Sequence, residues 1–377
     1  MTEFRFLHTS DLHLGRRFGN LPEEARGLLA AARRDIVRSL ADAARGHGAG
    51  HVFVAGDLFD TETPSDQVVR HALNAMGADP AIGWWIIPGN HDSLAAEALW
   101  DRFRRDAPGN VRLLDRAEPV EIATGVSLLP APAVWRHSGR DLTEWMVSAE
   151  VPEGNIRIGL AHGAVQTFAS EDGGSEIIPP DRAETARLDY LALGDWHGHL
   201  RIGERTHYAG TPERDRFKHQ GPGVCLAVSI AGSGAIPHVE PIRTGRFDWV
   251  DVEMPVTTEM EAGDAVRRAL STGGARREDT LLRLRATGWA TLDQRLELSA
   301  AVSALAPDFC HFDYDETELA TEYNVEDLDA IDVGGALRLA ARALLDEASD
   351  KSLADDQRRV AEAALVRLYT IVKEDAS

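Results

Sequence analysis

Short apolar runs alternate with amphipathic helical patterns along the first hundred residues of the chain. Residues 51–55 and 84–87 are almost continuously apolar and residues 4–8 are mostly so, which is typical of strands buried on both faces. Apolar side chains recur at helical spacing in the segments between and after these runs, at 23–45, 65–76 and 95–105. Strands that alternate with helices are typical of βαβ units, so the pattern predicts an α/β fold around a largely parallel sheet.

The pattern changes twice further along the chain. Four more strands are predicted at 156–161, 190–193, 207–209 and 224–230. A strand–helix–strand–helix order follows at 249–254, 259–270, 280–286 and 294–305, and two amphipathic helices end the chain at 335–345 and 352–372. Between them, residues 311–334 carry nine acidic residues and no lysine or arginine, which indicates an acidic connector. We therefore expect a first domain over 1–245, a small α+β domain over 246–310, the connector over 311–334, and C-terminal helices over 335–377.

Polar residues follow five of the predicted strands at their carboxyl ends. They are Asp11 and His13, then Asp57 and Asp60, then Asn90 and His91, then His162, and last Asp195, His197 and His199. In an open α/β sheet, ligands bind beyond the carboxyl ends of the strands. The sequence therefore predicts that all five groups converge on one rim of one sheet.

The side chains at this rim are carboxylates, imidazoles and an amide, without a thiolate. This mixture suits Mn, Fe or Zn, and it is too rich in histidine for a Ca or Mg site. The candidates outnumber the ligands of one ion and fit two. Two ions roughly 3.5–4 Å apart hold the attacking and leaving oxygens of a phosphoryl transfer. A carboxylate is the natural bridge between two ions, and Asp57 is the predicted bridge.

The five segments together resemble the calcineurin-like metallophosphoesterases. The motifs are Asp-x-His, Gly-Asp-x-x-Asp, Gly-Asn-His-Asp, a lone histidine and a final histidine motif. The opening His-Thr-Ser-Asp-Leu-His-Leu-Gly, the block Gly-Asp-Leu-Phe-Asp, and Tyr208-Ala-Gly-Thr-Pro are similar to SbcD-type DNA repair exonuclease subunits. The resemblance covers residues 4–220. It implies a β-sandwich flanked by helices, with a small α+β capping domain and C-terminal helices beyond it.

The resemblance also implies a role for each residue of the motifs. Asp11 and His13 would hold a first metal ion, Asp57 would bridge, and Asn90 and His162 would hold a second ion. His91 would not be a ligand. It would stabilise the transition state or protonate the leaving oxygen, and Asp60 would orient it, since a paired carboxylate raises the pKa of an imidazole toward the working pH.

One segment departs from the family pattern. The family has Gly-His-x-His, whereas this chain has Gly194-Asp195-Trp196-His197-Gly198-His199. A gapless alignment, which we prefer, places Asp195 on the second metal and His197 on the first. A shift by two residues makes His197 and His199 the pair instead. With Asp195 as a ligand, the second site has an extra negative charge and favours Mn²⁺ over Zn²⁺.

The function expected from the resemblance is a two-metal phosphodiesterase that hydrolyses DNA. The capping domain is expected to help admit and shape DNA, the C-terminal helices to dock on an SbcC-like ATPase, and the nuclease domain to form a homodimer. A phosphoesterase for a small molecule or nucleotide is the alternative. A DNA-end or partner-binding subunit with a weakened site is the second alternative, because of Asp195.

Composition limits how the chain can meet DNA. Its 377 residues include 40 basic and 61 acidic side chains, a net charge of −21. A polyanion is repelled by such a chain, so contact with nucleic acid requires a local patch, metals or a partner. No apolar run reaches membrane-spanning length and no secretory signal is visible, so we expect no membrane contact and a cytoplasmic location.

Overall fold

Two six-stranded sheets form the centre of the first of two structural units, which spans Met1–Trp249; the second spans Val250–Ser377. The structure is a computed structural model that describes residues 3–136, 139–166, 177–218, 221–270, 276–322 and 335–375. None of the helices in these ranges combines the length and the apolar composition that a bilayer crossing requires.

The strands of the first unit are numbered in chain order. They are β1 (Phe4–Thr9), β2 (His51–Ala55), β3 (Gly83–Ile87), β4 (Val111–Leu113), β5 (Val120–Ala123), β6 (Val126–Ala131), β7 (Ile156–His162), β8 (Ala164–Val165), β9 (Ile177–Ile178), β10 (Tyr190–Gly194), β11 (Leu200–Arg201), β12 (Thr206–Tyr208), β13 (Val224–Ile230) and β14 (His238–Arg243). The first sheet has the order β14-β13-β1-β2-β3-β4, and the second has β11-β12-β10-β7-β6-β5. Strands β8 and β9 form a separate pair.

The two sheets pack face to face, and helices cover the outer face of the first. The helices of this unit are α1 (Glu23–Gly46), α2 (Asp66–Gly77), α3 (Glu97–Asp106) and the short α4 (Arg182–Thr185). Phe6 and Phe53 lie in the core between the sheets, with ring centroids 4.5 Å apart, whereas Leu7 and Val54 lie in the core beneath α1–α3. Strands covered on both faces explain the continuous apolar runs. The predicted α/β fold, a β-sandwich flanked by helices, is confirmed.

The expectation of one sheet carrying all five polar segments is wrong. Strands β1, β2 and β3 belong to the first sheet, whereas β7 and β10 belong to the second. Pairing is parallel among β1–β3 and between β7 and β10, so the carboxyl ends within each sheet do point the same way. Buried strands have the same apolar pattern whether they extend one sheet or build a second one opposite it, so the pattern does not specify the partner.

The second unit has its own sheet and core. Its sheet has the order β15-β16-β17, formed by β15 (Asp248–Val256), β16 (Thr280–Thr291) and β17 (His311–Glu322). Its helices are α5 (Ala262–Leu270), α6 (Leu292–Leu305), α7 (Ala336–Ser349) and α8 (Asp355–Asp375). Helices α5 and α6 pack on the sheet through Val266 and Leu298. Tyr369 of α8 is buried against α7 and α6, and its hydroxyl donates to Asp293 at 2.9 Å.

The first half of the predicted acidic connector, His311–Glu322, forms strand β17 instead. It pairs in parallel with β16, from His311 opposite Leu281 to Glu322 opposite Thr291. Phe312 and Tyr314 alternate with acidic residues and pack against the core of the unit. This period-two alternation is a strand signal that the high acidic content obscured. The remainder of the predicted connector, residues 323–334, lies outside the described residues.

A buried histidine joins the two sheets of the first unit. His8 of β1 accepts from the hydroxyl of Tyr190 in β10 at 3.0 Å, and its Nε2 donates to the Leu193 carbonyl at 3.1 Å. Burial, together with the nearby His207, lowers the pKa of His8 to about 3, so the folded chain keeps this imidazole neutral.

We predict that His8 makes the folded state less stable in acid. The pKa of His8 is about 6.5 in the unfolded chain and about 3 in the folded one, so below pH 6.5 only the unfolded chain takes up this proton. By linkage, protonation of His8 in the unfolded chain should lower the free energy of unfolding by roughly 2 kcal/mol when the pH falls from 7 to 5. The variant His8→Gln should not show this loss. Urea denaturation with EDTA at both pH values measures it. The exposed His238→Gln is the control, and equal losses for wild type and His8→Gln would contradict the prediction.

Candidate metal centre

The loops that follow β1 and β2 lie side by side and present their polar side chains together. The Asp11 amide donates to the Gly56 carbonyl at 3.1 Å, and the His13 amide donates to the Asp57 carbonyl at 3.0 Å. Asp11, His13 and Asp57 all have positive φ values, of 53°, 44° and 53°. Left-handed backbone at non-glycine residues costs energy and persists only where the surroundings enforce it, which is common at functional sites.

Two glycines of the motifs are required by close approach. A Cβ at Gly89 would lie 2.1 Å from Asp57 Oδ1, and one at Gly194 would lie 2.0 Å from the carbonyl oxygen of Ala55. Only glycine lets the ends of β3 and β10 come this close to the end of β2. The glycines in Gly-Asn-His-Asp and Leu-Gly-Asp therefore set the distance between the strand ends.

Asp57 is at the centre of the cluster. Its Oδ2 lies 3.7 Å from His13 Nε2 and 3.6 Å from His162 Nε2, so the carboxylate stands between histidines of two different sheets. Its Oδ1 accepts from the His91 backbone amide at 2.9 Å. Burial raises the pKa of Asp57 to about 7, although the nearby His162 opposes the rise.

Two overlapping groups of donors surround Asp57. On one side, donor atoms of Asp11, His13 and His197 lie within 4.8 Å of one another, and the two Nε2 atoms of the histidines are 3.3 Å apart. On the other side, Asp11 and Asp57 form an equally close group with His162. Asp11 thus belongs to both groups, whereas Asp57 belongs to the second group and lies 3.7 Å from His13 of the first.

Asn90 and Asp195 complete the side that holds His162. Asn90 Oδ1 lies 3.2 Å from His162 Nε2, and Asp195 Oδ1 lies 3.9 Å from it. His162 Nδ1 donates to the Ala55 carbonyl at 2.8 Å, which turns Nε2 toward the carboxylates. Burial would lower the pKa of His162, but the negative charges of Asp57, Asp11 and Asp195 raise it to about 10.

These residues fit a pair of divalent cations. Asp11, Asp57 and Asp195 are all buried, and their charges converge where water cannot solvate them well. These negative charges raise the pKa of His162, which is the direction expected for an imidazole in a cluster with excess negative charge. Oxygen and imidazole donors, with no thiolate among them, suit Mn, Fe or Zn.

The structure brings Asp195 and His197, but not His199, to the cluster. His197 contacts His13, whereas the exposed His199 stacks against His207 with ring centroids 6.4 Å apart. The Asp195 amide donates to the Asp11 carboxylate at 3.3 Å. This placement is the one expected from the gapless alignment, and the ligand roles themselves stay predictions.

His91 is positioned by Asp60, but through a different atom from the one expected. His91 Nδ1 donates to the backbone carbonyl of Asp60 at 3.0 Å. The Asp60 carboxylate lies instead near His13 Nδ1, at 3.5 Å, and accepts from Arg16 at 3.2 Å. Asp60 therefore contacts both histidines, His91 through its backbone and His13 through its side chain.

Sequence reasoning missed three residues that support the cluster. Asp215 Oδ1 lies 3.4 Å from His197 Nδ1, and Asp215 Oδ2 lies 3.3 Å from Arg16 Nη1. Burial would raise the pKa of Asp215, but His197 and the neighbouring arginines hold it well below its usual range. Asp92 accepts from the backbone amides at 59 and 89 and so ties the loops after β2 and β3 together. Asp92 could have been found from the sequence, because it is the last residue of the Gly-Asn-His-Asp motif. No spacing rule points to Asp215 or Arg16.

The fold and the donor cluster agree with comparisons to known proteins. A profile of the family described as calcineurin-like phosphoesterase matches residues 4–229, more than half of the chain. Members of this family use divalent metal ions.

Curated relatives are distant in sequence. The DNA double-strand break repair protein Mre11 of Methanosarcina acetivorans is 25% identical over 67% of this chain and 41% of its own length. The SbcD subunit of the nuclease SbcCD from Escherichia coli K12 is 25% identical over 68% of this chain and 70% of its own length. An uncharacterised metallophosphoesterase of Bacillus subtilis, YhaO, is 28% identical over 52% of this chain and 49% of its own length. The chain thus spans only two fifths to a half of the Methanosarcina and Bacillus relatives. The strand-end cluster and the family match over residues 4–229 show that the chain belongs to the calcineurin-like phosphoesterase family.

Proposed function

We propose that this phosphoesterase hydrolyses phosphodiester bonds of DNA with the help of two divalent metal ions. The observation that carries the proposal is the position of the Asp57 carboxylate, 3.7 Å from His13 Nε2 and 3.6 Å from His162 Nε2. Such a carboxylate is suited to bridge two ions. The choice of DNA is supported by the relatives, whose names are those of DNA repair proteins and a nuclease subunit.

The proposed ligands divide into two sets joined by Asp57. The first ion would be held by Asp11, His13 and His197, and the second by Asn90, His162 and Asp195. When bound, two such ions supply positive charge to the attacking and leaving oxygens of the phosphoryl group. Mn²⁺ is the proposed metal, because three of the four donors on the second side, counting Asp57, are oxygens from carboxylates or an amide.

His91 is proposed to move the proton. Its backbone amide donates to Asp57 Oδ1, and its Nδ1 donates to the Asp60 carbonyl, so the ring is held beside the metal ligands. A carbonyl oxygen only accepts, so Nδ1 carries a hydrogen, and a proton on Nε2 is the one that His91 can transfer to the leaving oxygen. The Asp60 carboxylate would act as a positioning group for His13.

Partners are proposed from the relatives' names alone. One relative is named as a subunit of a nuclease complex, so we propose that this chain also works with a second subunit, an SbcC-like ATPase. Helices α7 and α8 are the proposed docking segment, the unit built on β15–β17 is the proposed capping domain, and the first unit is the proposed homodimer contact. A small phosphate ester is the second candidate substrate, favoured by the net charge of −21.

We predict that the purified chain degrades linear duplex DNA in the presence of Mn²⁺. EDTA should abolish the reaction, because the ions supply the charge at the phosphoryl oxygens. Gel analysis of the DNA, beside spectrophotometric hydrolysis of bis(p-nitrophenyl) phosphate, measures both activities. Turnover of the small ester with intact DNA, persisting after an SbcC-like ATPase is added, would support the small-ester candidate and contradict the proposal.

Two variants serve as controls in that experiment. Asp57→Ala should lose hydrolysis together with bound metal, since it removes the bridge. His91→Ala should lose at least about 100-fold in rate, which is the usual contribution of a positioned general acid, while both ions stay bound. Loss of metal from a folded His91→Ala protein would show that His91 is a ligand.

A second prediction separates the two alignments of the final histidine motif. His197→Ala should lose about one of two bound Mn²⁺ ions per chain, because His197 lies among the first group of donors. His199→Ala should keep both, because His199 is exposed and stacks on His207. Metal content after gel filtration, measured by mass spectrometry, decides. Loss of metal from His199→Ala with full occupancy in His197→Ala would reverse the assignment.

A third prediction concerns metal preference. Asp195→His restores the family pattern and replaces a hard oxygen donor by a softer nitrogen, so the variant should bind Zn²⁺ more tightly relative to Mn²⁺ than wild type does. Asp195→Asn, which removes the charge but keeps an oxygen donor, is the matched control. Competition of the two metals at equilibrium, read by metal content, measures the ratio. An unchanged ratio of bound Zn²⁺ to bound Mn²⁺ in Asp195→His would show that Asp195 is not a ligand of the second ion.

A further inference from the structure

A pocket with arginine-rich walls lies next to the metal centre, outside the cluster of proposed ligands. It has a volume of about 640 Å³ and lies between α1, α2 and the loop after β1. Five arginines and one glutamate contribute to its lining, in a chain whose net charge is −21. The pocket is thus a local positive patch on an acidic protein.

Two of the five arginines have structural partners. Arg33 is buried and donates to the carbonyls of Leu12 and Glu213 at 2.7 and 2.6 Å. Arg16 lies between the carboxylates of Asp60 and Asp215, at 3.2 and 3.3 Å. These contacts connect the pocket wall to the metal centre, since both carboxylates also contact histidines of the donor cluster.

The other three arginines, Arg17, Arg26 and Arg34, have no ion pair within the described parts of the chain. Neighbours on the same helix behave differently, because Arg38 pairs with Asp35 and Arg45 pairs with Asp42. The guanidinium groups of these three arginines are therefore available to an anion.

The shape of the pocket also leaves room for a ligand. Along α1, Gly27 and Ala30 lie between Arg26 and Arg34 on the pocket wall, and a Cβ added at Gly27 would meet nothing within 4 Å. On the α2 side the wall includes His71, whose Nε2 is buried and has no hydrogen-bond partner in the described residues. Small residues thus leave a hollow between arginine and histidine side chains, which are groups able to donate hydrogen bonds to phosphate oxygens.

We propose that this pocket binds a phosphate group of the DNA strand beside the phosphate that is hydrolysed, with Arg17, Arg26 and Arg34 as the anion-binding side chains. This inference rests on the proposed function, since it assumes that the substrate is a strand carrying further phosphates. Inorganic phosphate and free nucleotides carry the same chemical group, so the test must separate them from a strand.

The double variant Arg26→Ala/Arg34→Ala tests the pocket in full-length protein. Alanine has the highest helix propensity and neither arginine is buried, so the fold should persist, which circular dichroism checks. In EDTA, a fluorescent single-stranded 12-mer should bind the double variant roughly tenfold more weakly than wild type. The slope of log affinity against log salt should fall by about 1.4, for two lost phosphate contacts. Arg38→Ala, from the same helix but outside the pocket, should bind like wild type.

Three results would overturn the inference. Equal affinity and salt slope in wild type and double variant would show that the strand does not use the pocket, as would an equal loss in Arg38→Ala. Loss of inorganic phosphate binding, seen by ³¹P NMR, with unchanged binding of the 12-mer would assign the pocket to a small phosphate ligand instead.

The hydrolysis assays separate this inference from the proposed function. With Mn²⁺, the double variant should hydrolyse bis(p-nitrophenyl) phosphate at the wild-type rate, because that ester carries no second phosphate to place in the pocket. Its KM for DNA should rise while kcat stays unchanged. A wild-type protein that binds the 12-mer through the arginines but cuts no DNA, even after an SbcC-like ATPase is added, would refute hydrolysis of DNA and leave the binding site standing.

Discussion

Three buried carboxylates that share one space are the constraint on which the rest of the first unit depends. Asp11, Asp57 and Asp195 come from loops after three different strands, and each is nearly removed from solvent. Their mutual repulsion is relieved by protons or by cations, and the imidazoles of His13 and His162 beside Asp57 cannot balance all three alone. The cluster therefore carries excess negative charge, which divalent cations would neutralise.

Holding that cluster together requires backbone conformations that the chain would not adopt by itself. Asp11, His13, Asp57 and Asp195 all have positive φ, and they are four of the six non-glycine residues with this conformation in the described ranges. The sandwich core offsets the cost, because strands β1 and β2 are buried on both faces and cannot relax separately. A rigid core is thus what allows a strained and charged site at its edge.

Much of the fold and of the site composition could be predicted from the sequence, but not the partners of strands or of side chains. The strands carrying Asp11 and Asp57 were predictable because a continuous apolar run that ends in polar residues is typical of a buried strand whose end reaches a site. The sequence could not predict whether His162 lies in the same sheet as these strands or in an opposite one, because strand pairing is decided by tertiary packing. The contact of His91 with a carbonyl of Asp60 rather than with its carboxylate is likewise a matter of local geometry that spacing does not encode.

The distribution of charge would reconcile an acidic chain with the DNA substrate proposed for it. Repulsion by a net charge of −21 acts at long range and is screened within about 8–10 Å at physiological salt, whereas contacts at the metal centre and in the arginine-lined pocket act within hydrogen-bond distance. Metal ions would neutralise the phosphate at the centre, and the pocket arginines would neutralise its neighbour. Arg16 lines the pocket and contacts Asp60 and Asp215, which in turn contact histidines of the donor cluster, so the two proposed phosphate-binding regions adjoin each other. The net negative charge of the chain would then discourage DNA from binding elsewhere, so the same charge that weakens affinity would confine DNA to the site of the proposed hydrolysis.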